Sequence, residues 1–405
     1  LSDKQAVSSG VSTGDVITTT RTLTAPDYLP ADGAVYLQSA YTALFQQIGI
    51  VKDWGTGTIT KVTGPAVPPG ISVIVPPAFT PDGGFAVVGT SSGLLFYKIT
   101  SGVWSAYTAF AIGQVNWLEW SIDGVYLAVS LNAAPFFAIY KRTGDTLAAI
   151  ASPATLPTGV AGKAAWHPNG NYLAVTHAVT PFVTIYSRTG DVLTKTTNPT
   201  TLPTATPSWC SFCPDGSQLV IASGQAFLFY SGDGAFTAQN FSSMPYLPSS
   251  TMRLAYTPDS KYLLVLASAS PYLMTFQKIG TRYFYLPPAA DQPFAATGVT
   301  NNLVMIPGTS YFMTYMGKYP YLSLYEFSAG NVKKINLPDS LINDRSTATS
   351  AGYISASPDG KNIYLTATNY TSLLEAYSPI GFNDATEFAV PKITPPTGYK
   401  AYVKT

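Results

Sequence analysis

The sequence predicts an all-β fold, and three observations predict it. The 405 residues hold only four Glu (Glu119, Glu326, Glu375 and Glu387) against 33 Gly, 32 Pro and 27 Tyr. Glu favours helix, whereas Gly and Pro punctuate turns and Tyr suits the pleated strand. Short apolar, β-branched and aromatic runs recur between turn signals, as strands do. A turn motif also returns at near-constant spacing along most of the chain, the signature of a repeat architecture.

The motif is an aromatic or small residue, one more residue, Pro, Asp or Asn, then Gly. It reads Phe79-Thr-Pro-Asp-Gly83, Trp120-Ser-Ile-Asp-Gly124, Trp166-His-Pro-Asn-Gly170 and Phe212-Cys-Pro-Asp-Gly216. It continues as Tyr256-Thr-Pro-Asp-Ser260 and Ala356-Ser-Pro-Asp-Gly360, with a degenerate Val304-Met-Ile-Pro-Gly308 between them. The third position, or its nearest equivalent, is Pro81, Ile122, Pro168, Pro214, Pro258, Pro307 and Pro358, at spacings of 41, 46, 46, 44, 49 and 51 residues. Pro fixes φ at the first corner, Asp or Asn bonds its own backbone, and Gly takes the left-handed position.

Each turn leads into a strand, at 126–130, 172–176, 218–222, 262–266 and 363–367. A short link then enters a further strand, at 135–140, 181–186, 271–276 and 320–325. Several of these end in another turn, such as Arg142-Thr-Gly-Asp145 and Arg188-Thr-Gly-Asp191. Seven units of this length are what a seven-bladed β-propeller requires, and ring closure leaves only short, protected edges. The closing strand comes either from after residue 390 or from before residue 76, and the sequence leaves both open.

In its Pro-Asp-Gly turn followed by a Tyr-Leu-Ala-Val type of strand, the repeat resembles WD40-like and YVTN-type β-propellers over roughly residues 65–390. The Gly-His and Trp-Asp pairs of true WD40 repeats are missing, so the likeness is to the wider superfamily.

The division expected is 1–60, an N-terminal arm and attachment module, and 61–405, the propeller. Residues 1–24 are rich in Ser, Thr and Val and read as an extended arm or as strands needing a partner. One short helix is predicted at 39–49, with Tyr41, Leu44, Phe45 and Ile48 on one face, Ser39 as N-cap and Gly49 as its stop. Asp32-Gly33 followed by Tyr41-x-x-Leu-Phe-x-x-Ile-Gly49 resembles the tail-collar module of bacteriophage tail fibres. That family continues with Gly-Asp-Gly and Leu-Pro-Asp-Leu-Arg-Gly stretches, where this chain runs Lys52-Asp-Trp-Gly-Thr-Gly57. The resemblance implies a structural virion protein, assembled in the host cytoplasm and located at the tail or particle surface. It also implies a homo-oligomer, with Asp32, Gly33, Tyr41, Leu44, Phe45 and Ile48 binding other virion proteins and the propeller displayed toward host glycan or protein.

Composition argues against several other classes. With 22 Lys+Arg, 21 Asp+Glu and a net charge of +1, nothing draws the chain to nucleic acid or an anionic membrane. No apolar run approaches the roughly 18 residues of a membrane span, so no membrane insertion is expected. Leu1-Ser-Asp-Lys4 lacks the basic and apolar regions of a signal peptide, and a first residue other than Met leaves a trimmed precursor and missing leading residues both open. No P-loop or dinucleotide motif appears, and no cofactor is expected.

Catalytic candidates are few. Asp82, Asp123, Asp215, Asp259 and Asp359 sit in the repeat turn, and Asp145, Asp191 and Asp233 in hairpin-like turns, where turn formation accounts for them. The chain has two His: His167 occupies a turn slot filled elsewhere by Ser, Thr or Cys, and His177 ends a strand. Cys210-Ser-Phe-Cys213 has the spacing of half a zinc or redox site, but no second Cys pair exists and a strand does not lower a thiol pKa. Two buried free thiols are the expectation, with no metal. The aromatics, including Arg282-Tyr-Phe-Tyr285, are read chiefly as packing between blades. The chain is therefore expected not to be an enzyme. Two other readings stand beside the virion one: a lactonase-like or glycan-cleaving propeller hydrolase using non-turn acids such as Glu119 or Glu326, and a WD40-type interaction scaffold.

Overall fold

A computed structural model describes residues 16–19, 28–30, 35–37, 59–62, 64–69, 71–232, 234–239, 252–287, 300–316, 322–337, 353–366, 374–379, 387–389 and 400–404. Every regular element among them is a β-strand. The predicted helix at 39–49, the attachment residues Asp32, Gly33, Tyr41, Leu44, Phe45 and Ile48, and the turn residue Asp233 lie outside the described residues.

The chain divides into Lys61–Ser378 and a second unit of Leu1–Thr60 with Pro379–Thr405. The final segment, which the sequence assigns to the propeller, thus groups with the N-terminal residues. In that smaller unit Lys400–Lys404 lies between Val16–Thr19 and Tyr28–Pro30, antiparallel to both, and Val35–Leu37 pairs Glu387–Ala389.

In the larger unit, seven antiparallel sheets follow one another among the described residues. Their innermost strands are Val73–Phe79, Val115–Trp120, Ala161–Trp166, Pro207–Phe212, Met252–Tyr256, Thr300–Met305 and Ile354–Ala356. Each touches the next in order, and Ile354–Ala356 touches Val73–Phe79, so the seven close a ring. The last sheet runs Ile354–Ala356, Ile363–Thr366, Leu374–Pro379 and then Ile59–Val62. The closing strand therefore comes from before the first sheet, which resolves the alternative left open above.

The core lies in wedges between neighbouring sheets rather than in one central mass. Val87, Phe96 and Val115 pack with Leu127 and Val129 between the first and second sheets, and Val220 and Phe229 pack with Leu254, Val265 and Phe276 between the fourth and fifth. Across the closing junction, the Phe79 and Trp104 rings sit 5.3 and 5.6 Å from Tyr364. Burial of a Leu or Phe side chain stabilises by about 1.5–3 kcal/mol. Second strands such as Phe85–Thr90, Tyr126–Leu131 and Gln218–Ser223 are buried at every position. They are covered on both faces, which is why they read as continuous apolar runs rather than alternating ones.

The repeat motif forms the turn from first to second strand. The Gly83 amide donates to the Thr80 carbonyl at 2.8 Å, and the Asp82 carboxylate accepts from the Thr80 hydroxyl and the Gly84 amide. The same bonds recur at Ser121/Asp123, Thr257/Asp259 and Ser357/Asp359. In the degenerate copy the Thr309 hydroxyl takes the place of the carboxylate and accepts the Tyr311 amide. One expectation shifts: the third strands predicted from 135, 181 and 271 begin at Phe137, Val183 and Leu273. Pro135 and Pro181 instead belong to turns in which Phe136 and Phe182 take φ of 64° and 66° and donate to Ala133 and Val179.

Two left-handed glycines differ in what surrounds them. A Cβ on Gly216 (φ 72°) would meet the His167 ring at 2.7 Å, whereas one on Gly144 (φ 58°) would meet nothing within 4 Å. Gly144→Ala is expected to cost about 1 kcal/mol from backbone conformation alone. Gly216→Ala should cost about 2–4 kcal/mol because overpacking is added. Urea unfolding midpoints of the two variants check this; equal midpoints would contradict it.

Candidate functional site

The repeat register places one residue per sheet around the ring axis. Five positions before the corner residues Pro81, Ile122, Pro168, Pro214, Pro258, Pro307 and Pro358 stand Pro76, Trp117, Lys163, Trp209, Arg253, Asn302 and Tyr353. All seven line one or both of two axial cavities, and Trp117 and Trp209 line both.

The layer is held by alternating cations and aromatic rings. Lys163 Nζ lies 4.4 Å from the Trp117 ring centroid and 5.3 Å from that of Trp209. The Arg253 guanidinium lies 5.0 Å from the Trp209 ring, and Trp117 meets Trp209 edge-on at 4.8 Å and Tyr353 at 5.8 Å. Cation–ring contacts of this kind stabilise by about 0.5–2 kcal/mol each. Glu119, two residues after Trp117 on the same strand, joins the layer from one side: its Oε2 accepts from Lys163 Nζ at 2.5 Å and from Trp117 Nε1 at 2.9 Å. Burial lowers the pKa of the Arg253 guanidinium, which Tyr353 partly offsets.

On the turn side of this layer is a cavity of about 640 Å³. Its mouth is rimmed by the corner residues Pro81, Ile122, Pro168, Pro214, Pro307 and Pro358. The aromatics that open the motif form its wall and tie neighbouring sheets: Trp120 Nε1 donates to the Ala78 carbonyl at 3.0 Å and Trp166 Nε1 to that of Glu119 at 3.2 Å. Ile122 is 59% exposed, so the rim is apolar and open to solvent. The opposite cavity, about 370 Å³, takes Lys163, Arg253, Tyr353 and His177 into its lining.

Of the two acids named for a hydrolase, only Glu119 reaches the axis. Glu326 lies in the third strand Leu322–Ser328, opposite Lys333 of the fourth. The turn acids are engaged where they stand. The Thr80 hydroxyl holds the Asp82 carboxyl below its ordinary range. At Asp215 burial pushes upward, but bonds from Lys278 and Ser217 prevail and lower it. Asp191 bonds Lys141 and the Tyr126 hydroxyl across a sheet junction, which lowers it too.

His167 Nδ1 accepts from the Asn169 amide and Nε2 donates to the Gly216 carbonyl, both at 3.0 Å, so this ring ties two neighbouring turns together. Cys210 and Cys213 are free and buried, as expected from the sequence, and burial pushes the Cys210 thiol up to about 12. In the segment Arg282-Tyr-Phe-Tyr285, Tyr283 is buried, stacks on Phe229 at 4.5 Å and donates to Gln218, while Phe284 is 46% exposed.

A search of solved structures supplies the comparison. A chain of the crystal structure of the mitotic checkpoint complex superposes with a TM-score of 0.56 at 14% identity, over 89% of this chain and 99% of that one. The β-propeller domain of Myceliophteria thermophila Cps50 (Swd1) gives 0.57 at 12% identity, over 80% and 99%. The fold is that of a β-propeller. No family model and no curated protein matches the sequence.

His177 is buried and hydrogen-bonded through Nε2 to the Thr184 hydroxyl at 3.0 Å, and burial lowers its pKa below 6.5. The unfolded chain therefore takes up this proton first. Stability from this group is complete above pH 6.5 and is lost as pH falls from there through the folded pKa. The urea midpoint should drop between pH 7 and pH 5, and His177→Gln should flatten that slope; an unchanged slope would exclude His177 as its source.

Proposed function

We propose that this protein is a non-catalytic interaction module that holds an apolar segment of a partner protein in the turn-side cavity of its ring. The observation that carries this reading is the rim. Six turn corners from six repeats, five of them Pro and one the exposed Ile122, surround a cavity large enough for side chains. Pro is already rigid, so ordering such a rim on binding costs little entropy. Glu119 supplies one carboxylate in the wall, and its observed bonds both go to Oε2, which leaves Oε1 to accept from a donor on the partner. A hydrolase acting through paired carboxylates would need a second acid at this distance. The described lining of the cavity contains Glu119 as its one acid. The neighbour from the mitotic checkpoint complex is, by its name, part of an assembly, which agrees with an interaction role.

A photo-crosslinking residue at position 122 is expected to capture a protein that the same residue at 192, on the exposed fourth strand of the third sheet, does not. Glu119→Gln in the position-122 variant should weaken that capture several-fold. Capture at 192 with none at 122 would move the partner to the outer edge and overturn the proposal.

A second reading is favoured by the Asp32-Gly33 and Tyr41–Gly49 pattern: attachment of an oligomer to a virus particle at the tail or surface, with the propeller turned toward host glycan or virion proteins. Antibodies against the propeller should then label purified particles. Unlabelled particles would remove this reading and leave the interaction module standing.

A further inference from the structure

We propose that a cavity of about 430 Å³ at the closing junction, between the last sheet and the first, is a seat for an arginine or lysine side chain supplied by a partner protein. It holds whether or not the turn-side cavity takes an apolar segment.

The repeat itself shows what this place is built to hold. At three other junctions the third strand of one sheet carries a cation that faces the turn acid of the sheet before it. Arg188 Nη2 lies 3.7 Å from Asp123 Oδ2, Lys278 Nζ lies 2.5 Å from Asp215 Oδ2, and Arg142 interacts electrostatically with Asp82. The guanidinium carbons of Arg142 and Arg188 lie 4.6 Å from the Phe85 and Tyr126 ring centroids. Each Nε donates to the carbonyl of the turn glycine in its own sheet, Gly124 or Gly170.

In the first sheet that position is Ile99. Its amide donates to the Gly84 carbonyl, as those of Arg142, Arg188 and Lys278 donate to Val125, Asn171 and Lys261. Ile99 brings no charge, and its neighbour Lys98 is engaged with Asp145. The counterparts of the acceptors at the other seats line the cavity instead: Asp359, the turn acid of the last sheet, and Gly83, the turn glycine of the first. The Ser357 hydroxyl and the Lys361 amide both donate to Asp359 Oδ1, which leaves Oδ2 to accept. Where Phe327 fills the same position and packs on Tyr262 at 5.0 Å, the turn acid Asp259 pairs with Lys261 at 3.4 Å. Among the described residues no Lys or Arg pairs with Asp359.

The walls suit the stem of such a side chain. Phe79, Trp104 and Tyr364 line the cavity beside Ile99, so rings and apolar surface receive the methylenes while the cation meets the carboxylate. Asp82 and Asp359 are the charged residues of the described lining, and both are negative. Pro81, Asp82, Ser101 and Gly102 line it and are exposed, so a backbone carrying the cation can lie across them. The other seats hold two Arg and one Lys, which sets the class of side chain.

An NMR titration of the full chain at pH 7.5 and low salt tests this. It follows the Trp104 indole resonance as end-blocked Gly-Arg-Gly, Gly-Lys-Gly or Gly-citrulline-Gly is added. The Arg or the Lys peptide should move that resonance saturably, and the neutral citrulline peptide should bind at least tenfold more weakly. Asp359→Asn should weaken the cationic peptides at least tenfold while the urea midpoint stays put, because Asn169 shows that Asn keeps the turn bond. Ile99→Arg should fill the seat from within, abolishing peptide binding with a urea midpoint at least as high as that of the parent chain. Equal binding of the citrulline peptide, or unchanged binding to either variant, would overturn the proposal. Tighter binding of agmatine than of the Arg peptide would assign the seat to a small free cation and overturn the partner reading. None of these outcomes depends on capture at position 122, so this proposal and the interaction-module reading can fail separately.

Discussion

Each sheet of the larger unit has two apolar faces, and neither can be left to water. A β-sheet packed on one side only would expose half of its buried second strand; stacking sheet on sheet transfers the same problem to the next neighbour. Closure ends the series. The wedge cores between sheets, the Phe79–Tyr364–Trp104 cluster at the junction, and the strand Ile59–Val62 that completes the last sheet all answer that one requirement.

Closure also creates a problem at the axis, where seven innermost strands converge and each repeat presents one side chain at the same offset. Seven large apolar residues would fill such a space as a plain core. This chain instead alternates Trp117, Lys163, Trp209 and Arg253 and meets them with Glu119 and Tyr353. Cations between rings satisfy packing and charge together, because the stem of Lys or Arg is apolar and its head is held by the ring face. The layer separates an apolar, proline-rimmed mouth from a cationic one, so the two ends of a single axis carry different chemistry.

How much of this was legible in the sequence depends on whether the signal ran along the chain or across it. The turn motif could be read because Pro, Asp and Gly act within four residues, and the same local bonds explain why most Asp residues belong to turns. The buried second strands could be read because burial on both faces gives continuous apolar runs. The third strands were placed two residues early at Pro135 and Pro181, since an aromatic run looks the same whether its first members turn or extend. The axial layer was missed apart from Glu119. Trp117, Lys163, Trp209 and Arg253 differ in chemistry and are related only by their offset from the motif; superposing the repeats would have shown them as one ring. The source of the closing strand is a property of the ring as a whole, and no local pattern announced it.

The order of the last sheet bears on how the protein is made. Ile59–Val62 leaves the ribosome before any sheet of the ring is complete, yet its partner Leu374–Pro379 is synthesised some three hundred residues later. Through almost the whole of translation this strand has an unpaired edge. The six sheets completed in between can stack as they appear, while the seventh must wait for its earliest strand to be retrieved. Until Leu374–Pro379 is made, the nascent ring is an open arc with an unpaired strand edge, the kind of edge that invites aggregation.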